Sequence, residues 1–350
     1  MVGAVLVRAG KVIGEGWHRR AGGPHAEVAA LRDAAQRGER VRGATLYVSL
    51  EPCCTHGRTP PCTEAILAAG IRRVVVAAVD PNPAHAGRGG EILRAAGVEI
   101  GNGVETFAGV AARLNEAFNH WIVARMPFVT VKAAMTLDGK IATASGESKW
   151  ITGERARQLG QQLRFAADAV LVGINTVLAD DPSLTARTAS GRVRKPVRRF
   201  VLDARARTPL DARVASDGLA KRTTVVVSRA APAARVKALR ARVNVLVAPA
   251  RGGRIDLRWL MKRLGSEGVT SLLVEGGGEV NAAFLEAGLA QQLVFFYAPK
   301  ILGGRQSRRG VAGEGARRLA DLIELHEVEW RRVGEDLMLT ARVATGERRK

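Results

Sequence analysis

His25-Ala26-Glu27, followed by Pro52-Cys53 and then Cys62, brings together three possible zinc ligands and one spare carboxylate. Zinc takes imidazole nitrogen and thiolate sulfur readily, and a catalytic zinc site keeps three protein ligands so that water can fill the fourth place. Such a water ionises near neutral pH and becomes a nucleophile. A glutamate that does not bind the metal can then carry a proton from that water to a leaving amine. His25, Cys53 and Cys62 as ligands, with Glu27 as proton shuttle, point to hydrolytic deamination, whose general signature is His-x-Glu with Pro-Cys-x-x-Cys. Eight residues, 54–61, separate the two cysteines here where the signature has two. The insert must loop out, and Gly57 with Pro60-Pro61 suits a loop. Cys54 and His56, inside it, are rival ligands, ranked lower because Cys53 directly follows Pro52.

Those side chains need elements to hold them. Alternation from Ala44 to Leu50 reads as a strand, and Cys62 to Ala69, stopped by Gly70, reads as a short helix. Cys62 then sits at a helix N-terminus, which favours its thiolate. A second helix runs from about Pro24 to Gln36, with the proline in its first turn. Val2–Val7 and Val12–Trp17 read as two strands joined by a tight turn at Ala9-Gly10. Ile71 to Val79 is an apolar run typical of a buried parallel strand. Glu105 to Arg125 is amphipathic at helical spacing, and Met126-Pro127 ends it. The domain boundary is placed there, giving domains 1–126 and 127–350, and two domains suit 350 residues.

A fresh alternation of strands and helices begins at Phe128. Strands are expected at 128–134, 169–173, 197–202, 223–228, 243–247, 270–274 and 292–298. Helices are expected at 153–166, 232–240, 256–264 and 278–287, with two antiparallel strands at the end. Thr188 to Lys195 reads as a polar loop and Glu347 to Lys350 as a frayed tail. Val274-Glu275-Gly276-Gly277-Gly278 closes a buried strand and opens a helix, where backbone amides and the helix N-terminus can receive a phosphate. It is not the Gly-x-Gly-x-x-Gly dinucleotide fingerprint. Lys132, Thr136, Asp138 and Lys140, the loop Ser145 to Trp150 with Thr152 as a helix cap, and Gly173 to Pro182 all follow strands. Ligands in α/β sheets bind beyond the carboxyl ends of strands, so these clusters mark a second site.

Composition narrows the function further. Hydrophobic content of 47% and charged content of 25% suit a globular chain, and no apolar run is long enough to span a membrane. The three cysteines lie within ten positions, which favours metal binding in a reducing cytoplasm over disulfides. The net charge of +21 raises the question of nucleic acid. However, residues 1–126 carry only +4 of it, and aromatic residues, at 4%, are too scarce for base-stacking platforms. Phosphorylated small substrates account for the arginines with less.

These motifs together resemble the bifunctional deaminase–reductase family of riboflavin biosynthesis. His25-Ala-Glu, Leu50-Glu-Pro-Cys, Gly57-Arg-Thr-Pro-Pro-Cys, Asp80-Pro-Asn-Pro and Gly87-Arg-Gly match its deaminase half. Lys132-x-Ala-x-Thr-Leu-Asp-Gly-Lys, Ser145-Gly-Glu-Ser, Trp150-Ile-Thr, Thr176-Val-Leu-Ala-Asp-Asp-Pro, Glu275-Gly-Gly and Ala298-Pro-Lys match its reductase half. The resemblance implies an α/β chain of two domains: a cytidine-deaminase-like three-layer α/β/α domain and a dihydrofolate-reductase-like α/β domain. It implies zinc-dependent deamination of a phosphoribosylamino diaminopyrimidinone, then reduction of the ribosyl group by NADPH. By matching motifs, Ser148, Arg164, Leu184, Arg187 and Glu275 would contact the second substrate, the arginines by gripping phosphate. Ala134, Trp150, Thr176, Asp180 and the run Gly277, Gly278, Glu279, Val280, Asn281, Ala282 and Ala283 would hold NADPH. Pairing into a dimer or tetramer is expected from the family.

Two departures stand out. Family members usually begin with a helix and an Asn-Pro segment before the Val2-Gly3 strand, and this chain has neither. The sheet is then expected to expose apolar surface, and a reductase with an impaired, zinc-stabilised deaminase is the alternative reading. Thr55 also stands where the family commonly carries histidine, and His56 beside it is the candidate replacement.

Overall fold

The computed structural model describes residues 2–20, 22–57, 59–102, 105–188 and 190–344. Arg58 and the tail from Glu347 lie outside them. The chain divides into two compact units, Met1–Ala124 and Arg125–Lys350.

The first unit is built on five strands: β1 (Gly3–Arg8), β2 (Lys11–Trp17), β3 (Thr45–Val48), β4 (Arg73–Val76) and β5 (Glu99–Asn102). Their order is β2-β1-β3-β4-β5, antiparallel at β2-β1-β3 and parallel from β3 to β5. The β1–β2 hairpin turns at Ala9 and Gly10, both at positive φ, as the expected turn requires. Helices α1 (Ala26–Gln36), α2 (Cys62–Ala68) and α3 (Arg88–Ala95) bury Ala26, Ala30, Ala34, Ile66 and Leu93 in one core with Ala4, Leu6, Leu46, Val48 and Val74. Strand alternation puts Val5, Tyr47 and Val75 on the opposite face, where they are only half-buried or exposed. Gly16 lets α1 lie directly on β2: a Cβ there would stand 2.3 Å from Ala30 N and 2.4 Å from Ala26 O. The start of α1, which carries Glu27, is thereby pinned to the sheet. The segment 105–125 forms two helices, α4 (Glu105–Leu114) and α5 (Glu116–Ala124), broken at Asn115, a residue whose side chain competes with helical hydrogen bonds.

The second unit is built on a nine-stranded sheet: β6 (Phe128–Thr136), β7 (Ala169–Gly173), β8 (Arg198–Leu202), β9 (Thr223–Ser228), β10 (Asn244–Ala248), β11 (Ser271–Val274), β12 (Gln292–Ala298), β13 (Leu325–Val333) and β14 (Asp336–Val343). Their order is β10-β9-β8-β7-β11-β6-β12-β14-β13. The first seven in that order run parallel, and β14 and β13 close the edge antiparallel. β7 is buried at every position, as a central parallel strand covered on both faces should be. The unit's longer helices are α6 (Glu154–Ala166), α7 (Ile174–Asp180), α8 (Ala233–Arg240), α9 (Leu257–Ser266) and α10 (Gly278–Glu286).

Several local readings are corrected. Pro24 precedes the cap of α1, which is His25 in extended conformation. Gly153, not Thr152, caps α6, and its amide donates to Asp336 Oδ2 at 2.8 Å. The stretch expected as a plain loop from Thr188 contains a strand, Val193–Lys195, paired with Ala186–Arg187.

Candidate active sites

Two helix N-termini meet at the first site. His25 is the residue before α1, Glu27 lies in its first turn, and Cys62 opens α2 after Pro61. Cys53 arrives from the loop after β3. His25 Nδ1 lies 3.2 Å from Cys62 Sγ and 3.4 Å from Cys53 Sγ, and all three ligand atoms fall within 4.8 Å of one another. Tetrahedral zinc bonded at roughly 2.0 Å to nitrogen and 2.3 Å to sulfur sets its ligands about 3.6 Å apart, so the trio fits the ion. It is the only such group among the described residues. The rivals are elsewhere engaged: Cys54 Sγ lies 3.5 Å from His85 Nδ1, and His56, largely exposed, pairs with Glu64 at 3.3 Å.

With Nδ1 as ligand, the proton of His25 sits on Nε2, 3.2 Å from Thr59 Oγ1. Thr59 thus fixes the ring and its tautomer, the usual duty of a metal ligand's outer partner. Glu27 is 3% exposed. Burial drives its carboxyl up to about 7, which suits a group that must both take and return a proton. The Cys62 thiol donates to Cys53 and holds it far below the usual thiol range; burial opposes this, while His25 and the Cys62 amide, 3.3 Å away, reinforce it. The same hydrogen bond, with burial, pushes Cys62 up. The α2 N-terminus points its free amide at Cys53, so the helix favours a thiolate one element away from the residue that opens it.

The second site is a cavity of about 870 Å³ in the carboxyl-terminal unit. Ala134, Ser148, Trp150, Arg164, Thr176, Asp180, Leu184, Arg187, Glu275, Gly277 and Asn281 all line it. Strand-to-helix exits bring them together, as expected for an α/β sheet. Ser148 donates to Asp180 at 2.6 Å, and Lys149 Nζ donates to the Asp180 carbonyl. Arg157 stacks its guanidinium 4.8 Å from the Trp150 ring, while Lys300 Nζ donates to the carbonyls of Trp150 and Ile151.

Of the run 277–283, only Gly277 and Asn281 line the cavity. They stand one helical turn apart at the start of α10. Gly278 faces the segment at Arg309 so closely that a Cβ would lie 2.0 Å from its carbonyl oxygen. Arg164 does not offer a free fork to phosphate. It grips Glu275 through Nε at 2.6 Å and Nη2 at 2.7 Å, and donates to Thr185 O through Nη1. Leu184 has a side chain buried in the core and a φ of 48°, so only its main chain can meet a ligand.

Sequence reasoning gave Lys132 no defined role, yet it lines the cavity beside Glu275 and Arg164. Burial lowers its pKa, and Glu275 acts against that. A lysine inside the apolar strand Phe128–Thr136 was itself the signal. Burial raises the Glu275 carboxyl, but Arg164 and Lys132 outweigh it and hold the group at about 2. The residues also fit a nicotinamide dinucleotide. Asn281 donates from Nδ2 to Gly310 O at 2.8 Å, while its buried Oδ1 has no partner among the described residues, and the start of α10 opens onto the same cavity.

Comparison with known proteins decides the family. The profile of the cytidine and deoxycytidylate deaminase zinc-binding region matches residues 1–78, and that of the RibD C-terminal domain matches residues 127–339. The riboflavin biosynthesis protein RibD of Actinobacillus pleuropneumoniae is 42% identical over 340 residues, 97% of this chain and 88% of that protein. The chain belongs to the RibD family. The RibD of Aquifex aeolicus is 43% identical over 338 residues, covering 97% of this chain and 90% of that one. Among solved structures, Acinetobacter baumannii RibD superposes with a TM-score of 0.83 at 36% identity, over 98% of this chain and 92% of that one. Like the RibD proteins, the chain is a bifunctional enzyme of riboflavin biosynthesis, a zinc-dependent deaminase joined to an NADPH-dependent reductase. The deaminase match and the assembled ligand trio favour this over a reductase carrying an impaired module. Among the described residues, no helix is long and apolar enough to cross a membrane.

Proposed function

We propose that residues 1–126 deaminate 2,5-diamino-6-(5-phosphoribosylamino)pyrimidin-4(3H)-one, and that residues 127–350 reduce the ribosyl group of the product to give 5-amino-6-(5-phosphoribitylamino)uracil. A RibD-like structure from Thermotoga maritima is described as a diaminohydroxyphosphoribosylaminopyrimidine deaminase and 5-amino-6-(5-phosphoribosylamino)uracil reductase, at 34% identity. The observation that carries the first reaction is the convergence of His25, Cys53 and Cys62 beside a buried Glu27.

His25, Cys53 and Cys62 hold zinc, which when bound makes water acidic enough to react at neutral pH. Glu27 takes a proton from the attacking water and gives it to the departing amine, so ammonia leaves neutral. Thr59 keeps His25 in the ligating tautomer. In the second half Asn281, Gly277, Thr176, Trp150, Asp180 and Ala134 hold NADPH, with the α10 N-terminus facing its phosphates. Ser148, the main chain at Leu184, and Glu275 position the ribosylamine. Arg187, exposed, with Nε on Thr185 Oγ1 and Nη2 on Ser183 Oγ, grips the substrate phosphate through Nη1. Arg164 serves by fixing Glu275 as an anion, and Lys132 supplies an ammonium to the substrate side of that pair. The partners are small phosphorylated pyrimidines. The enzyme works in the cytoplasm, where its three free cysteines stay reduced, as a dimer or tetramer.

The test is ammonia release from the diaminopyrimidinone and NADPH oxidation with the aminouracil, each on zinc-loaded protein. Glu27→Gln should lose at least about a hundredfold in ammonia release with zinc content and NADPH oxidation unchanged. Ammonia release at the parent rate would remove Glu27 from its role.

A further inference from the structure

The cavity beside the zinc ligands, about 290 Å³, has walls that the trio and Glu27 do not explain. Besides His25, two imidazoles line it, His18 and His85. His18 has its Nδ1 engaged by Pro24 O at 3.0 Å and meets His25 edge-on at 5.3 Å. His85 comes from a different part of the chain, the loop that leaves β4 and leads into α3. Glu51, 5% exposed, ties that loop down: its carboxylate accepts from Asp80 N, Gly87 N and Gly90 N at 3.2, 2.8 and 3.1 Å. Asn82 O accepts from the amides of His85 and Ala86. His85 is therefore delivered to the cavity on a rigid loop. Its Nδ1 lies 3.5 Å from Cys54 Sγ, and its Nε2 has no partner among the described residues.

Thr55 lines the same cavity with a short side chain, and His56 beside it does not line it. His56 faces outward, 72% exposed, against Glu64. His56 is thus not placed to replace an imidazole at position 55, while His85 lines the same cavity as Thr55.

We propose that His85 is a substrate-contacting residue of the deamination, its Nε2 donating a hydrogen bond to the carbonyl edge of the aminopyrimidinone. Assigning Nδ1, 3.5 Å from Cys54 Sγ, as the acceptor of that thiol puts the ring hydrogen on Nε2, and a carbonyl oxygen is the matching acceptor. The assignment rests on the deaminase reading above. It makes the loop after β4, rather than the insert between the two cysteines, the element that reads the pyrimidine.

The experiment measures ammonia release against diaminopyrimidinone concentration for the parent, His85→Val, His85→Gln and the double variant Thr55→His/His85→Val, with zinc content and NADPH-dependent reduction of the aminouracil as controls. Losing one buried hydrogen bond to the substrate should raise KM about tenfold in His85→Val, with zinc stoichiometry and reduction unchanged. His85→Gln, which keeps a donor, and the double variant, which moves the imidazole across the cavity, should each recover most of that loss. A KM for His85→Val within twofold of the parent overturns the assignment. If the zinc-loaded parent releases no ammonia, the deaminase reading fails first. Calorimetric titration of the pyrimidine into parent and His85→Val then decides the contact, and equal affinity, or no binding to either, refutes it.

Discussion

Replacing Arg164 with methionine isolates the central electrostatic device of the reductase half. The guanidinium meets Glu275 with two hydrogen bonds, 2.6 and 2.7 Å, and both side chains are mostly buried, at 17% and 10% exposure. Burial alone would push Glu275 up; Arg164 and then Lys132 reverse this and hold it at about 2 against an ordinary 4.5. That difference is worth about 3 kcal/mol at about 1.4 kcal/mol per tenfold, in line with the roughly 3–5 kcal/mol cost of breaking a buried pair from one side. The sign follows from the depressed carboxyl. The stabilisation is fully present above pH 4.5 and is lost as pH falls from there toward 2. Arg164→Met should therefore lower the unfolding midpoint of the carboxyl-terminal unit at pH 7 by roughly 6–12 °C, followed by loss of NADPH binding. The gap to the parent should narrow in acid as the parent loses its advantage. Arg164→Met/Glu275→Leu should regain most of the stability, because an apolar pair carries no stranded charge, yet it should not reduce the aminouracil. A single variant within about 1 kcal/mol of the parent at pH 7, with an unchanged acid profile, would refute the view that this pair sets the charge of Glu275.

Two further outcomes follow from single contacts. Thr59→Val removes the acceptor for His25 Nε2–H and should weaken zinc affinity about 10- to 100-fold, read by competition with a chelator, while NADPH oxidation is unchanged. Asn281→Leu fills the place of the unpartnered Oδ1 and breaks the hydrogen bond to Gly310. It should raise KM for NADPH about tenfold or more with ammonia release at the parent rate, and an unaltered KM would exclude this side chain from the cofactor site.

Periodicity made most of the sheet legible. The seven parallel strands of the second unit fall where apolar runs such as Ala169–Gly173 stand, because a strand covered on both faces has no room for polar alternation. What pattern did not reveal was structure held by distant partners. α3 contains Gly89 and Gly90, poor helix formers, and it forms because Glu51 accepts the amides that open it. α7, Ile174–Asp180, is only seven residues long, too short to show a helical period against its background.

At the sites, residue types were legible and their partners were not. The order His25, Glu27, Cys53, Cys62 sufficed for the zinc trio because each ligand type has few other reasons to stand there. The state of each sulfur depended on where an amide points. The amide that opens α2, that of Cys62, faces Cys53 across the site, so the helix N-terminus serves the second sulfur as well as the one that opens it. The same limit applied to Arg164. A lone arginine in a phosphate-binding enzyme reads as a phosphate ligand, but the glutamate that occupies it lies 111 residues away, and no local pattern can report a pairing made by the sheet. His85 was invisible for the same reason: nothing in Asp80-Pro-Asn-Pro-Ala-His marks that histidine until the buried Glu51 carboxylate is seen folding the loop against the metal cavity.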